Sequence, residues 1–354
     1  MTITRRHFLK QGTTPFMAAA LAPWLTSPAF AQQNMPFGAA LYWPDMAIEP
    51  RLGPEIARWC QRITPVQEMK FELLRPSEGA WDFSQADALV DYARVNSLAV
   101  HGHTLVWYAA LPEWVSKITS AAAAEALMTE HIETLMQRYP DITSWDVVNE
   151  AIPDVPDGVK SRRDGFWQER LGEDHIAMAF RKAHELSPHS TLVLNEYDVE
   201  FADEYGPAKR AAFRDLIQSL LDKGAPVTAI GFQGHLRGGR AIAKDELAAF
   251  VAELKSWGLD VLVTELDVID VNLPRDADER DRVIAAQVRD FLKAIADGGG
   301  ASSITTWGIS DPYSWVRWAY PRPDGTPNRP LPLDENFKPK LFMDVIDDFR
   351  NGTL

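Results

Sequence analysis

Short apolar runs alternate with amphipathic stretches along the chain from residue 36 to residue 350. Eight runs have the length and content of buried strands: FGAAL (37–41), RITPVQEM (62–69), LAVHGHTLVW (98–107), SWDVVNE (144–150), TLVLNEYD (191–198), AIGFQGH (229–235), VLVTELDV (261–268) and SITTWGI (303–309). Between them the apolar positions follow a helical period. In GEDHIAMAFRKAHEL, Ile176, Phe180, Ala183 and Leu186 fall on one stripe. QADALVDYARV, AKRAAFRDLIQSLLDKG and KDELAAFVAELKSWG read the same way, the last two with a glycine near the helix end. Eight alternating units predict an α/β fold, a (β/α)8 TIM barrel forming a single domain over residues 36–350. A doubly wound sheet is disfavoured, because no glycine-rich dinucleotide fingerprint follows the first strand.

The polar residues of these runs come late: Glu68 and Lys70, His103 and Trp107, Asn149 and Glu150, Asn195 and Tyr197, Gln233 and His235, Glu265 and Asp267, and Trp307. In a parallel barrel such positions converge on one mouth, where its chemistry takes place. Two of the runs deliver a glutamate, Glu150 and Glu265. Two facing carboxylates are the minimum equipment for cleaving a glycosidic bond. Their neighbours suggest different roles. Asp267 shares a strand face with Glu265, and His235 ends the preceding strand, so a hydrogen bond from His235 would keep Glu265 ionised. Glu150, beside Asn149 and downstream of Trp145, acts best protonated, with its pKa raised by an apolar setting or by the Glu265 charge.

Composition narrows the partners. The 354 residues carry a formal net charge of -14, which argues against nucleic acid and leaves neutral sugars as ligands. Twelve tryptophans are many for this length. Indoles fill cores as well as stack on sugars, but Trp307, Trp315 and Trp318 gather after the eighth strand beside a Pro-rich loop, where a cleft wall is expected. Trp307 and Trp315 are read as sugar platforms, and Trp318 is left open. The single cysteine, Cys60, allows no internal disulfide and reads as a small buried residue. His101 and His103 form a His-x-His pair of the kind that holds metals. No third ligand is evident beyond His235, so sugar hydrogen bonding or a core role is preferred and no metal is expected.

The N-terminus reads as a targeting segment. Arg5 and Arg6 stand in tandem, an apolar stretch interrupted by Pro15, Pro23 and Pro28 follows, and Ala29-Phe30-Ala31 supplies small residues for cleavage. The expectation is a twin-arginine signal over residues 1–31, export of a folded chain to the periplasm or beyond, and no membrane anchor. No separate carbohydrate-binding module is expected.

Together the segments FGAAL, EMKFE, EGAWDFS, GHTLVW, WDVVNEA, LNEYD, GFQGH, VTELDV and DENFKPK resemble glycoside hydrolase family 10, the endo-β-1,4-xylanases, over almost the whole chain after the leader. WDVVNEA and TELDV in that order are the most specific. The resemblance implies a retaining, cofactor-free hydrolase with Glu150 as acid/base and Glu265 as nucleophile. It implies Asn149 on the sugar 2-hydroxyl, and His235 holding Glu265 with Asp267 behind it. Lys70, His103, Trp107, Gln233 and Trp307 would line the sugar site at the point of cleavage, with Trp315 flanking the next site on the non-reducing side. Two departures stand out. The family usually has Glu-Asn where this chain has Val66-Gln67, and His-x-Gln where Tyr108 and Ala110 stand. These changes remove polar groups from the subsite next to the cleavage point. The expected function is therefore endo-β-1,4-hydrolysis of xylan or xylo-oligosaccharides by a monomer. The alternatives are a decorated or non-xylan β-glycan as substrate, or a barrel that binds sugar without cutting it.

Overall fold

The computed structural model describes residues 35–156 and 161–354. The twin-arginine expectation at residues 1–31 lies outside the described residues. Ten strand pieces form one parallel sheet: β1 (Phe37–Leu41), β2 (Arg62–Pro65), β3 (Ala99–Val100), β4 (Val106–Trp107), β5 (Ser144–Asn149), β6 (Thr191–Glu196), β7 (Ala229–Phe232), β8 (His235–Arg237), β9 (Asp260–Ile269) and β10 (Ser303–Thr306). Their order is β3-β2-β1-β10-β9-β7-β6-β5-β4, with β8 alongside β9. The ends of this path belong to one extended segment. β3 pairs with β2, and His101 N–H donates to Ile63 O at 2.9 Å. From the next residue on, Gly102 and Leu105 donate to the carbonyls of Ser144 and Asp146 at 2.9 and 3.0 Å, and β4 pairs with β5. Residues 99–107 thus bond the second strand on one side and the β5 strand on the other, which closes an eight-stranded barrel.

All eight expected strands are present. The third is interrupted, and the reason is a close approach that apolar patterning does not register. A Cβ on Gly102 would lie 2.0 Å from the Trp145 ring, so only glycine lets this segment pass over that fully buried indole. β9 runs past Glu265 to Ile269 because β8 pairs with its second half, so Glu265 lies within the strand rather than at its end.

The strands are apolar runs because both of their faces are covered. The helix Asp174–Leu186 buries Ile176, Phe180 and Ala183 of the expected stripe, with Leu186 half-buried at its end. The helix Lys244–Ser256 is followed by Gly258 at φ 80°, a left-handed stop that glycine adopts without strain. Cys60 is buried at the end of the helix Leu52–Trp59, and burial pushes its thiol pKa far up, consistent with an inert packing role. Among the described residues no helix is long and apolar enough to cross a membrane.

Candidate active site

Two strands carry irregularities in their pairing register, and they are the two that deliver the glutamates. Between β5 and β6 the register shifts at Asp146–Val148, and between β9 and β10 it shifts so that two residues, Thr264 and Glu265, separate partners one residue apart on β10. Bulges of this kind re-aim side chains and recur beside active sites. Glu150 follows β5 with φ 58°, a left-handed conformation that costs a residue with a Cβ on the order of 1–2 kcal/mol. Its backbone is tied down from outside the strand. Arg163 donates from Nε to Glu150 O at 2.9 Å and from Nη2 to Ile152 O at 2.6 Å.

Glu150 Oε2 accepts from Trp107 Nε1 at 2.8 Å, and its Oε1 accepts from Gln233 Nε2 at 3.1 Å. Glu265 Oε1 accepts from Asn195 Nδ2 at 2.7 Å, and its Oε2 faces His235 Nε2 at 3.2 Å. A chain of amides joins the two carboxylates. Gln233 Nε2 also donates to Asn149 Oδ1 at 3.2 Å, and Asn195 Nδ2 donates to the same oxygen at 3.0 Å. Thr264 fixes the direction of this chain by donating its hydroxyl to Asn195 Oδ1 at 2.7 Å. The Asn149 oxygen is therefore committed twice, and its amide N–H groups are the part of the side chain left to offer a ligand.

His235 stands between two acids, with Nδ1 2.8 Å from Asp267 Oδ1 and Nε2 facing Glu265. Only an imidazolium has two N–H groups to donate. Burial opposes that charge, but the field and hydrogen bond of Asp267, with those of Glu265, outweigh it and raise the His235 pKa well above its ordinary value. Burial pushes Glu265 up. The His235 hydrogen bond and the fields of His103 and His235 more than offset this and hold it below the usual carboxylate range. Burial raises Asp267, while His235 and Trp315 Nε1, 2.6 Å from Oδ2, act the other way. Glu265 is thus set up to be ionised, as a nucleophile requires.

Lys70, His103, Trp107, Asn149, Gln233, His235, Trp307 and Trp315 all line one cleft of about 480 Å³ together with Glu150 and Glu265. The Lys70 ammonium lies over the Trp107 ring at 4.6 Å and nearer its face than that of Trp307 at 5.9 Å. Burial lowers the Lys70 pKa, and the Glu265 and Glu150 charges oppose that fall. The His-x-His pair divides as core and wall. His101 is bonded to Ser144 Oγ at 2.7 Å and pairs with Asp146 at 3.0 Å, while His103 Nδ1 meets the other Asp146 oxygen at 2.8 Å and its ring packs edge-on against Trp307. His103, Asp146 and Glu265 each offer one ligand atom within 4.8 Å of the others, but both Asp146 oxygens are already engaged by histidines. Val66 and Gln67 line the cleft. Ala110 does not reach its wall; its carbonyl accepts from Glu72 N–H at 2.8 Å. Asn195 was named from sequence among the polar groups of the mouth but given no role; Asp146 and Arg163 were not named. Those two act through tertiary contacts that no local pattern encodes.

The barrel and its paired glutamates define a hydrolase of glycosidic bonds. A model described as glycosyl hydrolase family 10 matches residues 27–348, and the chain belongs to that family. It is 35% identical over 320 residues to endo-1,4-beta-xylanase B of Paenibacillus barcinonensis, covering 86% of this chain and 92% of the relative. It is 35% identical over 299 residues to a beta-1,4-xylanase of Dictyoglomus thermophilum, covering 80% of each. Among solved structures it is similar to xylanase 10B from Thermotoga petrophila RKU-1 in complex with xylobiose, with a TM-score of 0.80 and 27% identity over 91% of this chain and 95% of the other.

Proposed function

We propose that the chain is a retaining endo-β-1,4-xylanase that cleaves xylan or xylo-oligosaccharides by double displacement. Glu265 attacks the anomeric carbon while Glu150 protonates the departing glycosidic oxygen, giving a covalent glycosyl–enzyme and a free chain end. Glu150, now ionised, takes a proton from water, which attacks the same carbon from the opposite face and releases Glu265. The Asn149 amide N–H groups would hold the sugar 2-hydroxyl through both steps. One observation carries this reading: the two carboxylates have opposite surroundings. Glu265 faces an imidazolium, whereas Glu150 is held by the neutral donors Trp107 and Gln233. The kinship to xylanases supports xylose as the repeating unit.

The test is stereochemical. Proton NMR of a fresh digest of xylo-oligosaccharide is expected to show the β-anomer first; first appearance of the α-anomer would exclude double displacement. A second reading, a decorated or non-xylan β-glycan as substrate, is favoured by the apolar Val66 in the cleft wall. Export by the twin-arginine route is part of the proposal and is supported by the tandem Arg5 and Arg6.

A further inference from the structure

Of the two reacting carboxylates, only Glu150 sits on a left-handed backbone, so its aim depends on what holds residues 150–152 in place. The neighbouring strand takes the amides. Glu150 N–H donates to Asn195 O at 2.9 Å, and Ile152 N–H donates to the buried Glu196 carboxylate at 2.9 Å. The carbonyls are taken by a single residue. Arg163 donates from Nε to Glu150 O, from its own N–H to Ala151 O at 2.7 Å, and from Nη2 to Ile152 O. Three successive carbonyls thus end on Arg163. Its side chain is 12% exposed and is not part of the cleft lining, yet three residues of that lining reach it. The Tyr108 ring faces the guanidinium at 4.6 Å, Asp154 Oδ1 lies 2.8 Å from Nη2, and the Tyr197 hydroxyl lies 2.7 Å from the same nitrogen. A Cβ on Gly165 would come within 3.0 Å of Tyr108 Cβ, so a glycine there lets the Arg163 segment approach this closely. Trp167, in the helix Phe166–Leu171 that follows, fixes the approach by donating to Trp107 O at 3.0 Å.

We infer that Arg163 is a positioning residue for the proton that Glu150 delivers to the departing oxygen. Its guanidinium fixes the backbone that aims the carboxyl, so its contribution grows with the leaving group's need for that proton. This rests on the xylanase reading, in which Glu150 is the acid/base. Arg163 itself touches no reacting atom. Trp107 and Gln233 each bond one Glu150 oxygen, and they can orient the carboxyl only where the backbone has placed it. Glu265 needs no such clamp, because it lies inside β9 and the strand pairing holds it. Loss of Arg163 should therefore spare the nucleophile and misplace the acid. A displacement of about 1 Å is enough to cost on the order of 100-fold. Lysine is a poor substitute: an ammonium is a compact point charge, whereas the guanidinium presents its donors as a rigid planar fork to two carbonyls at once.

The experiment compares kcat/KM on two substrates. One is an unactivated xylo-oligosaccharide, whose departing sugar oxygen must be protonated. The other is an aryl β-xylobioside with a strongly acidic phenol, which leaves unaided. Arg163→Ala is expected to lower kcat/KM roughly 100-fold on the oligosaccharide and less than about threefold on the aryl glycoside. Arg163→Lys should show the same pattern, with a loss of about 10-fold or more on the oligosaccharide, and it carries the test alone if circular dichroism shows the alanine variant unfolded. In either folded variant, a loss on the oligosaccharide no larger than that on the aryl glycoside would overturn the inference and leave Arg163 as a loop anchor only. A parent protein that turns over neither substrate would instead overturn the xylanase reading, and the inference with it.

Discussion

The chamber around Glu150 and Glu265 and the cavity behind Val66 share a wall and differ in how tightly their side chains are bonded to one another. In the chamber, side chains from β4 to β9 are bonded to one another before any ligand arrives: Trp107 and Gln233 on Glu150, Asn195 and His235 on Glu265, and Asp267 behind His235. In the second cavity behind Val66, Trp307, Trp315 and Trp318 share the wall with Tyr42, Asp45 and the exposed Gln67. A site built from fixed donors rejects whatever leaves those donors unpaired; a loosely bonded wall discriminates less. The two sides of the shared wall can therefore be perturbed separately.

The largest effect should come from the chamber. Glu265→Ala and Glu150→Ala are each expected to lower kcat on xylo-oligosaccharide on the order of 10⁴-fold or more. On an aryl β-xyloside whose leaving group needs no proton, azide should restore turnover in both, giving glycosyl azides of opposite anomeric configuration; rescue with the same configuration would contradict the division of roles. Next in size is His235→Ala, expected to cost about 100-fold in kcat/KM. Its pH profile matters more than its size. Glu265 is held below its ordinary pKa by His235 and must be ionised to react. Without the imidazolium that pKa rises, so the acid limb of kcat/KM should move to higher pH; an unmoved limb would mean that His235 only shapes the pocket. The histidine's own sign is opposite. Its raised pKa contributes stability that is present below about pH 6.5 and lost as pH rises through the folded value, so His235→Ala should cost least stability in alkali. The smallest effect belongs to the second cavity. Gln67 is exposed, and Gln67→Ala should change kcat/KM on plain xylo-oligosaccharide by less than about threefold. A tenfold loss would show that the second cavity recognises hydroxyls as the chamber does.

The barrel was legible because buried parallel strands must be apolar on both faces, and FGAAL, TLVLNE and VLVTELDV advertise that. The mouth was legible because polar groups cluster late in those runs. The break in the third strand was not, since it depends on Gly102 meeting Trp145 across the sheet. The two bulges were not, because an extra residue in one strand is defined only against its partner. Arg163 was not, because it reaches Glu150 from a loop with no periodicity. The relation of His235 to Glu265 and Asp267 was readable, since the period of two puts residues 265 and 267 on one side and a single ring can then touch both.

Position 150 has a φ of 58°, where the backbone favours glycine. Selection for a durable fold alone would settle on glycine there; selection for turnover keeps a carboxylate. The two pressures can be separated by comparing two equally inactive variants. Glu150→Gly should unfold at higher denaturant than Glu150→Ala, by about 1 kcal/mol, because both lack the carboxyl and only one relieves the backbone. Equal stability would mean that the surrounding loop relaxes freely. A difference would mark position 150 as one that an inactive descendant of this chain would lose first.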